Sequence, residues 1–196
     1  MERDWIKQGP ADYVTTAWSG GTTTQLLIAP DDAKYAERDF LWRVSSAAVE
    51  LEESDFTLLP DYERLIATLR GEITLIHNGG VPLRLRPYEV HAFSGADQTH
   101  SIGRCTDFNL MLRRGCAEGT MEAFILGAGE RRELRTDGAD QTLLYAAKGN
   151  CVITIGAKQI MLQSEESLLG GRETTISIAS ADGAALMLCR MRSLSM

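Results

Sequence analysis

The stretch Asn109-Leu110-Met111-Leu112-Arg113-Arg114 returns later in the chain as Ala185-Leu186-Met187-Leu188-Cys189-Arg190, at an offset of 76 residues. A second pair supports the first: Arg64-Leu65-Ile66-Ala67-Thr68-Leu69-Arg70-Gly71 answers Thr142-Leu143-Leu144-Tyr145-Ala146-Ala147-Lys148-Gly149, 78 residues on. Repetition at a nearly fixed period marks a duplicated architecture before any single residue does. Two units are therefore expected, 1–115 and 116–196, the second a degenerate copy. The polar members Arg64, Asp107 and Asn109 belong to the first copy, where the second offers Thr142, Gly183 and Ala185. Function is expected in the first.

Strand signals dominate both halves. Val44, Val49, Ile73, Leu75, Val81, Leu83 and Leu85 fall in short segments broken by Gly79-Gly80, Pro82, Pro87 and Gly95. The second half continues with Cys151 to Ile155, Gln159 to Leu162, Thr174 to Ala179 and Ala184 to Met191. Short strands with frequent turn signals predict an all-β sandwich or barrel. The best helical candidate is Gly119 to Leu126, read as one short turn between the copies.

Composition narrows the classes. A chain of 196 residues, 44% of them hydrophobic, can build a core without disulfide or metal staples. Four scattered cysteines without a C-x-x-C pair read as reduced structural thiols. The net charge of −7 argues against nucleic acid as a partner. A few arginines in a pocket can still attract an anionic metabolite against that global field. No apolar run approaches the ~20 residues that span a bilayer, and Met1-Glu2-Arg3-Asp4-Trp5 lacks a signal-peptide pattern. A cytoplasmic protein with no membrane partner is the expectation, with room for a homodimer.

Alternation along two strands points to a site. Phe108, Leu110 and Leu112 share one face, and Asp107, Asn109, Met111 and Arg113 share the other. In Leu41 to Val49, Arg43 and Ser45 fall on one face with Leu41, Ala47 and Val49, while Trp42 and Val44 fall on the other. Such an arginine either snorkels to solvent or meets an anion.

The segment Leu69-Arg70-Gly71-Glu72-Ile73-Thr74-Leu75 resembles the strand–turn–strand centre of a cupin barrel. The cupin first motif, G-x5-H-x-H-x3,4-E-x6-G, supplies metal ligands. Anchoring its last glycine on Gly71 places its glutamate at Arg64 and its histidines within Thr57-Leu58-Leu59-Pro60. The second motif, anchored on Pro87, places its histidine at Ala92. His91 then lies one residue off and is expected on the opposite face. Replacing a carboxylate ligand by arginine turns a cation site into an anion site, so no metal and no cofactor are expected. Arg64 would need a carboxylate partner, from Asp107 or from a ligand.

Four segments in order resemble the HutD/Ves family: Trp18-Ser19-Gly20-Gly21-Thr22-Thr23-Thr24-Gln25, Trp42-Arg43-Val44-Ser45-Ser46-Ala47, Phe56 through Arg64, and Asp107-Phe108-Asn109-Leu110-Met111. The resemblance covers roughly residues 14 to 115. It departs from the family pattern where Ser19-Gly20-Gly21-Thr22 replaces N-G-G-G-x-T and where Asp61 replaces a glycine after Pro60. It implies a bicupin of two RmlC-like β-barrels, metal-free, without established catalysis, that binds an intermediate of histidine breakdown such as formylglutamate. Residues expected to bind are Trp18, Gly20, Gly21, Thr24, Arg43, Ser45, Arg64, Asp107 and Asn109. Trp18 reads as core in preference to a pocket wall, and the glycines as a turn or as a close approach to ligand.

Three functions compete. The first is a non-catalytic binding or accessory protein for a small carboxylate. The second is a metal-independent cupin isomerase or epimerase, with His91, Asp97 or Asp107, and Tyr88 as acid and base. The third is a structural module that associates through its β edges.

Overall fold

The computed structural model describes residues 5–171 and 175–194. Its elements are β-strands apart from one 3-10 turn at Tyr35–Glu37. In chain order they are β1 (Ile6–Gln8), β2 (Val14–Trp18), β3 (Gly21–Ala29), β4 (Trp42–Val49), β5 (Glu53–Asp55), β6 (Tyr62–Arg70), β7 (Ile73–His77), β8 (Leu83–Leu85), β9 (His91–Ser94) and β10 (Thr99–Ile102). There follow β11 (Cys105–Arg113), β12 (Ala117–Leu126), β13 (Arg131–Arg135), β14 (Gln141–Gly149), β15 (Cys151–Ile155), β16 (Lys158–Leu162), β17 (Ser167–Gly170), β18 (Thr175–Ala179) and β19 (Ala184–Ser193). No helix is long and apolar enough to cross a membrane among the described residues.

The residues expected to form a helical turn, Gly119 to Leu126, lie inside strand β12. Ala117, Met121, Phe124 and Leu126 are buried in that strand while Glu118, Thr120, Glu122 and Ile125 are exposed. The strand's inward side chains outweigh the weak helical preference of a segment that opens on a glycine.

Contacts divide the chain into two compact units. One contains Tyr13–Glu118, and the other contains the chain up to Asp12 together with Gly119–Ser193. The single cut at 115/116 expected from sequence places β1 in the first unit. Ile6 instead pairs with Leu169 of β17, in the second.

The first unit holds a six-stranded sheet, β2-β3-β4-β11-β6-β9, and a four-stranded sheet, β5-β10-β7-β8. Ile66 and Phe93 from the first sheet and Ile73, Leu75 and Leu85 from the second form one buried cluster. A second cluster joins Ile28, Phe40, Leu59, Tyr62 and Met111. There the Tyr62 hydroxyl donates toward the carbonyls of Arg38 (2.9 Å) and Phe40 (3.0 Å), while its ring stacks on Phe40 at 4.3 Å.

The second unit repeats the neighbour order. Its sheets run β1-β17-β14-β19-β12 and β13-β18-β15-β16. In both units the strands form separate sheets, not the closed barrels expected from sequence. The equivalences between units come from two bulges. Asp107 lies opposite Thr68 just past a bulge at Leu69, and Leu186 lies opposite Ala146 just past a bulge at Ala147. Asp107 therefore corresponds to Leu186, and Asn109 to Leu188, at an offset of 79 and not the 76 read from the echo. The difference of three is odd, so it moves every side chain to the other face.

This register changes what fills each unit. Leu144, Ala146, Leu186 and Leu188 belong to a continuous hydrocarbon cluster with Ile153, Leu162, Leu168, Ile176 and Ile178. Their counterparts in the first unit are Ile66, Thr68, Asp107 and Asn109. At three of these four positions the hydrocarbon of the second unit gives way to a polar side chain in the first, Thr68, Asp107 and Asn109. Leu186→Ala is expected to cost about 2–5 kcal/mol, because a packed interior collapses only partly around a missing side chain. Urea denaturation measures this, and a loss below about 1 kcal/mol would mean that the second unit is loosely packed.

Candidate functional site

The first unit contains a cavity of about 370 Å³ on the inner side of β3, β4, β11 and β6. Trp18, Arg43, Ser45, Arg64, Asp107 and Asn109 all line it, so six of the nine residues expected from sequence come together. Trp18 stands at its edge, 41% exposed, as a wall and not as core.

Gly20, Gly21 and Thr24 do not line the cavity, and each is explained by packing. A Cβ on Gly20 would overlap the Trp18 indole. Gly21 has φ 144°, and a Cβ there would strike the Ala48 carbonyl. Both glycines serve the β2–β3 turn, not a ligand. Thr24 pairs its hydroxyl with that of Thr15 at 2.9 Å, on the other face of β3. Its neighbours Thr23, which lines the cavity, and Gln25, which bonds Arg43, take the inward positions.

Arg43 and Arg64 stand in one row, each opposite Met111 on the central strand β11. Both are only 6% exposed. Arg43 Nε donates to Gln25 Oε1 at 2.8 Å and its Nη1 to Ser45 Oγ at 3.1 Å. Its guanidinium also sits 4.4 Å over the Tyr35 ring. Arg64 Nη2 donates to Asn109 Oδ1 at 3.0 Å, and its Nη1 reaches the Thr57 carbonyl at 3.5 Å. Phe56 and Phe93 flank Arg64 at 4.9 and 5.0 Å. Arg64 Nε is buried without a hydrogen-bond partner.

Asp107 was one of the two carboxylate sources open to Arg64, the other being a ligand, and the structure does not pair Arg64 with Asp107. Among the described ion pairs neither Arg43 nor Arg64 has a carboxylate. Asp107 Oδ1 instead accepts the Ala47 N–H at 3.1 Å. Asn109 stands between them, taking Arg64 on its carbonyl oxygen and stabilising the Asp107 carboxylate from its amide side.

Burial sets the protonation states. It pushes Asp107 up to about 6, against the pull of Asn109, the Ala47 N–H, Arg64 and Arg43. Burial also lowers Arg64 to about 10, opposed by Tyr35 and Asp107 and reinforced by Arg43. Arg43 is lowered by burial too. At neutral pH both guanidiniums stay charged and Asp107 is mostly ionised, so these three residues leave one positive charge uncompensated. A buried cation in this state calls for an anion. Aromatic faces and amide oxygens spread the charge but do not neutralise it.

The donor set does not suit a metal ion. The cupin glutamate position is Arg64, and Arg64 lies across from Phe93 on β9. Among the described residues no three His, Cys, Asp or Glu side chains converge as a metal site. All four cysteines are free. Burial raises Cys105 to about 12 and Cys151 to about 11, and raises Cys189 as well, which leaves unreactive thiols.

His91 was expected on the outer face. It shares a face of β9 with Phe93, whose ring flanks Arg64, so it points inward. Even so it does not line the cavity. Its Nε2 lies 3.0 Å from His77 Nε2, and His77 Nδ1 lies 2.8 Å from Thr99 Oγ1. Asp97 is committed elsewhere, accepting from Asn78 and from the Ser94 N–H. The acid–base set cast from sequence is not assembled.

Tyr35 and Phe93 were not singled out from sequence, and Phe56 only as the first residue of a family-like segment. Tyr35 sits on the 3-10 turn between β3 and β4, and Phe56 just beyond β5. No periodicity marks either one. Their only sequence signal is aromatic character near a candidate arginine.

A family model described as HutD matches residues 10–188. No curated protein matches. Among solved structures, PA5104 from Pseudomonas aeruginosa PAO1, described as a conserved protein of unknown function, is 21% identical with a TM-score of 0.83. That match covers 97% of this chain and 100% of the other. HutD from Pseudomonas fluorescens SBW25 is 20% identical with a TM-score of 0.76, covering 98% and 100% of the two chains. A cupin 2 conserved barrel domain protein from Leptotrichia buccalis is 9% identical with a TM-score of 0.58, covering 94% and 95%. At these identities the likeness is one of fold, and the fold is cupin-like.

Asp107 makes a pH-dependent prediction. Its carboxyl titrates higher in the native protein than in an unfolded chain, so the native state holds the proton more tightly. Its contribution to stability is therefore highest at low pH and falls as pH rises from about 4 through 6. Asp107→Asn removes this penalty, so the variant should gain about 2 kcal/mol relative to wild type between about pH 4 and pH 8. Denaturant unfolding at both pH values measures the difference, and an unchanged difference would show that Asp107 is not held in a desolvated site.

Proposed function

This chain belongs to the HutD family, and on that premise we propose that it is a non-catalytic binding or accessory protein for a small carboxylate metabolite. The carrying observation is the pair of buried guanidiniums without a carboxylate partner, beside the orphaned Nε of Arg64. A carboxylate entering the cavity supplies the missing charge and accepts from the guanidinium edges. Charge-assisted bonds of this kind are worth about 1.5–3 kcal/mol each. The matching sheet orders support reading the chain as two cupin units from one duplication, with the ligand in the first. Membership in the family favours a formylglutamate-like ligand and a place in amino-acid catabolism.

The isomerase reading has less support. Its proposed base, His91, is bonded to His77 outside the cavity, and Asp97 is engaged with Asn78.

Titration with N-formylglutamate, glutarate and acetate, followed by thermal shift and calorimetry, tests the proposal. At 100 times its dissociation constant, a ligand of the native state adds about 2.7 kcal/mol of stability. Arg64→Met keeps the side-chain volume and removes the charge. It is expected to weaken carboxylate binding by about 100-fold or more while leaving the fold intact. Unchanged affinity in that variant would remove Arg64 from the site, and failure of all three carboxylates to bind wild type would overturn the proposal.

A further inference from the structure

Three rows of side chains cross the inner wall of the cavity. Arg43, Met111 and Arg64 form the first, Ser45 and Asn109 the second, and Ala47 and Asp107 the third, the last two rows running on into Ile66 and Thr68 of β6 beyond the lining. Gln25 and Thr23 extend the second and third rows on β3. The wall is thus cationic at one end, amide and hydroxyl in the middle, and anionic at the other. Successive rows lie roughly 7 Å apart along the strands. The arginine heads bend back toward the middle row, Arg43 to Ser45 and Gln25, and Arg64 to Asn109. That leaves about one row between the cationic groups and Asp107, roughly the length of a five-carbon acid.

We propose that this cavity is a two-ended cradle for a short carboxylate that also carries a hydrogen-bond donor, and that Asp107 is the residue that selects for the donor. The proposal rests on the carboxylate-binding reading above and narrows its ligand class. Asp107 is buried, lines the cavity and makes no ion pair with either arginine. An ionised carboxylate is an acceptor only, with about four lone-pair sites. The Ala47 N–H takes one and the Asn109 amide engages the group as well. Of about four lone-pair sites, these two contacts leave others open to a donor. Thr23, Thr68 and Ala47 flank Asp107 in its row, and none of them brings a cation. Such a group rejects a second acceptor by repulsion and rewards a hydroxyl, an amide N–H or an ammonium. A simple dicarboxylate meets the arginines equally well at one end but offers Asp107 only oxygen lone pairs.

Calorimetry on the full chain at neutral pH with glutarate, 2-hydroxyglutarate and N-formylglutamate separates the possibilities, since the three share a five-carbon diacid skeleton and differ in the donor. The two donor-bearing probes are expected to bind about 10- to 100-fold more tightly than glutarate. In Asp107→Asn, where the amide can present its own N–H to the ligand, that ratio should fall to within about threefold. Equal affinity of wild type for all three probes would overturn the selection while leaving the carboxylate reading intact. A preference that survives in Asp107→Asn would overturn the role of Asp107. Binding of none of the three would overturn the carboxylate reading and this inference together. Should Asp107→Asn fail to fold, Asp107→Ser supports the same comparison, and the wild-type ratio alone still decides whether the cradle selects donors.

Discussion

Two guanidinium groups lie inside the first unit with no carboxylate in ion-pair contact and only Asp107 nearby to offset their charge, and much of the surrounding structure follows from holding them there. An isolated buried cation costs several kcal/mol. The first unit offsets part of that cost with Gln25, Ser45 and Asn109 as acceptors and with the faces of Tyr35, Phe56 and Phe93. Tyr35 in turn is set over Phe40 at 6.1 Å, and Phe40 is stacked on the fully buried Tyr62. The aromatic stack therefore fixes the ring that supports Arg43.

The second unit shows what the same strand order does without those charges. Where the first has Asp107 and Asn109, the second has Leu186 and Leu188, packed with Leu144 and Ile153 into one hydrocarbon cluster. Exchanging a few inward side chains turns a close-packed interior into a polar cradle, while the neighbour order of the strands is untouched. The same separation of fold from site accounts for a cupin-like fold that persists across partners of low identity. At the ligand position of the cupin motif, this chain has a cation facing an aromatic ring, Arg64 across from Phe93. A guanidinium thus stands where the cupin motif places a carboxylate.

Much of this was legible in the residues alone. Period-two alternation put Arg43 with Ser45 and Asp107 with Asn109 on shared faces, because successive side chains of a strand must point to opposite sides. The loss of the cupin ligands singled out Arg64, and the internal echo anticipated two units with matching neighbour order. Other features were not legible. Three consecutive threonines at positions 22 to 24 carry no phase of their own, so that Thr23 and not Thr24 faces the cavity was settled only by the pairing of β3 with β4 and the bulge between Gln25 and Leu27. The echo at 76 aligned similar letters, while the paired bulges at Leu69 and Ala147 set the offset at 79.

The sequence by itself determined the all-β class, the family and the row of candidate polar groups, since each is a property of local pattern. Tertiary structure alone decided which face looks inward, which strands lie side by side, and that Asn109 stands between Arg64 and Asp107. It also brought Tyr35, Phe56 and Phe93 to the arginines. Those outcomes depend on contacts between residues distant in the chain, where a single inserted residue in one strand reverses every side chain beyond it.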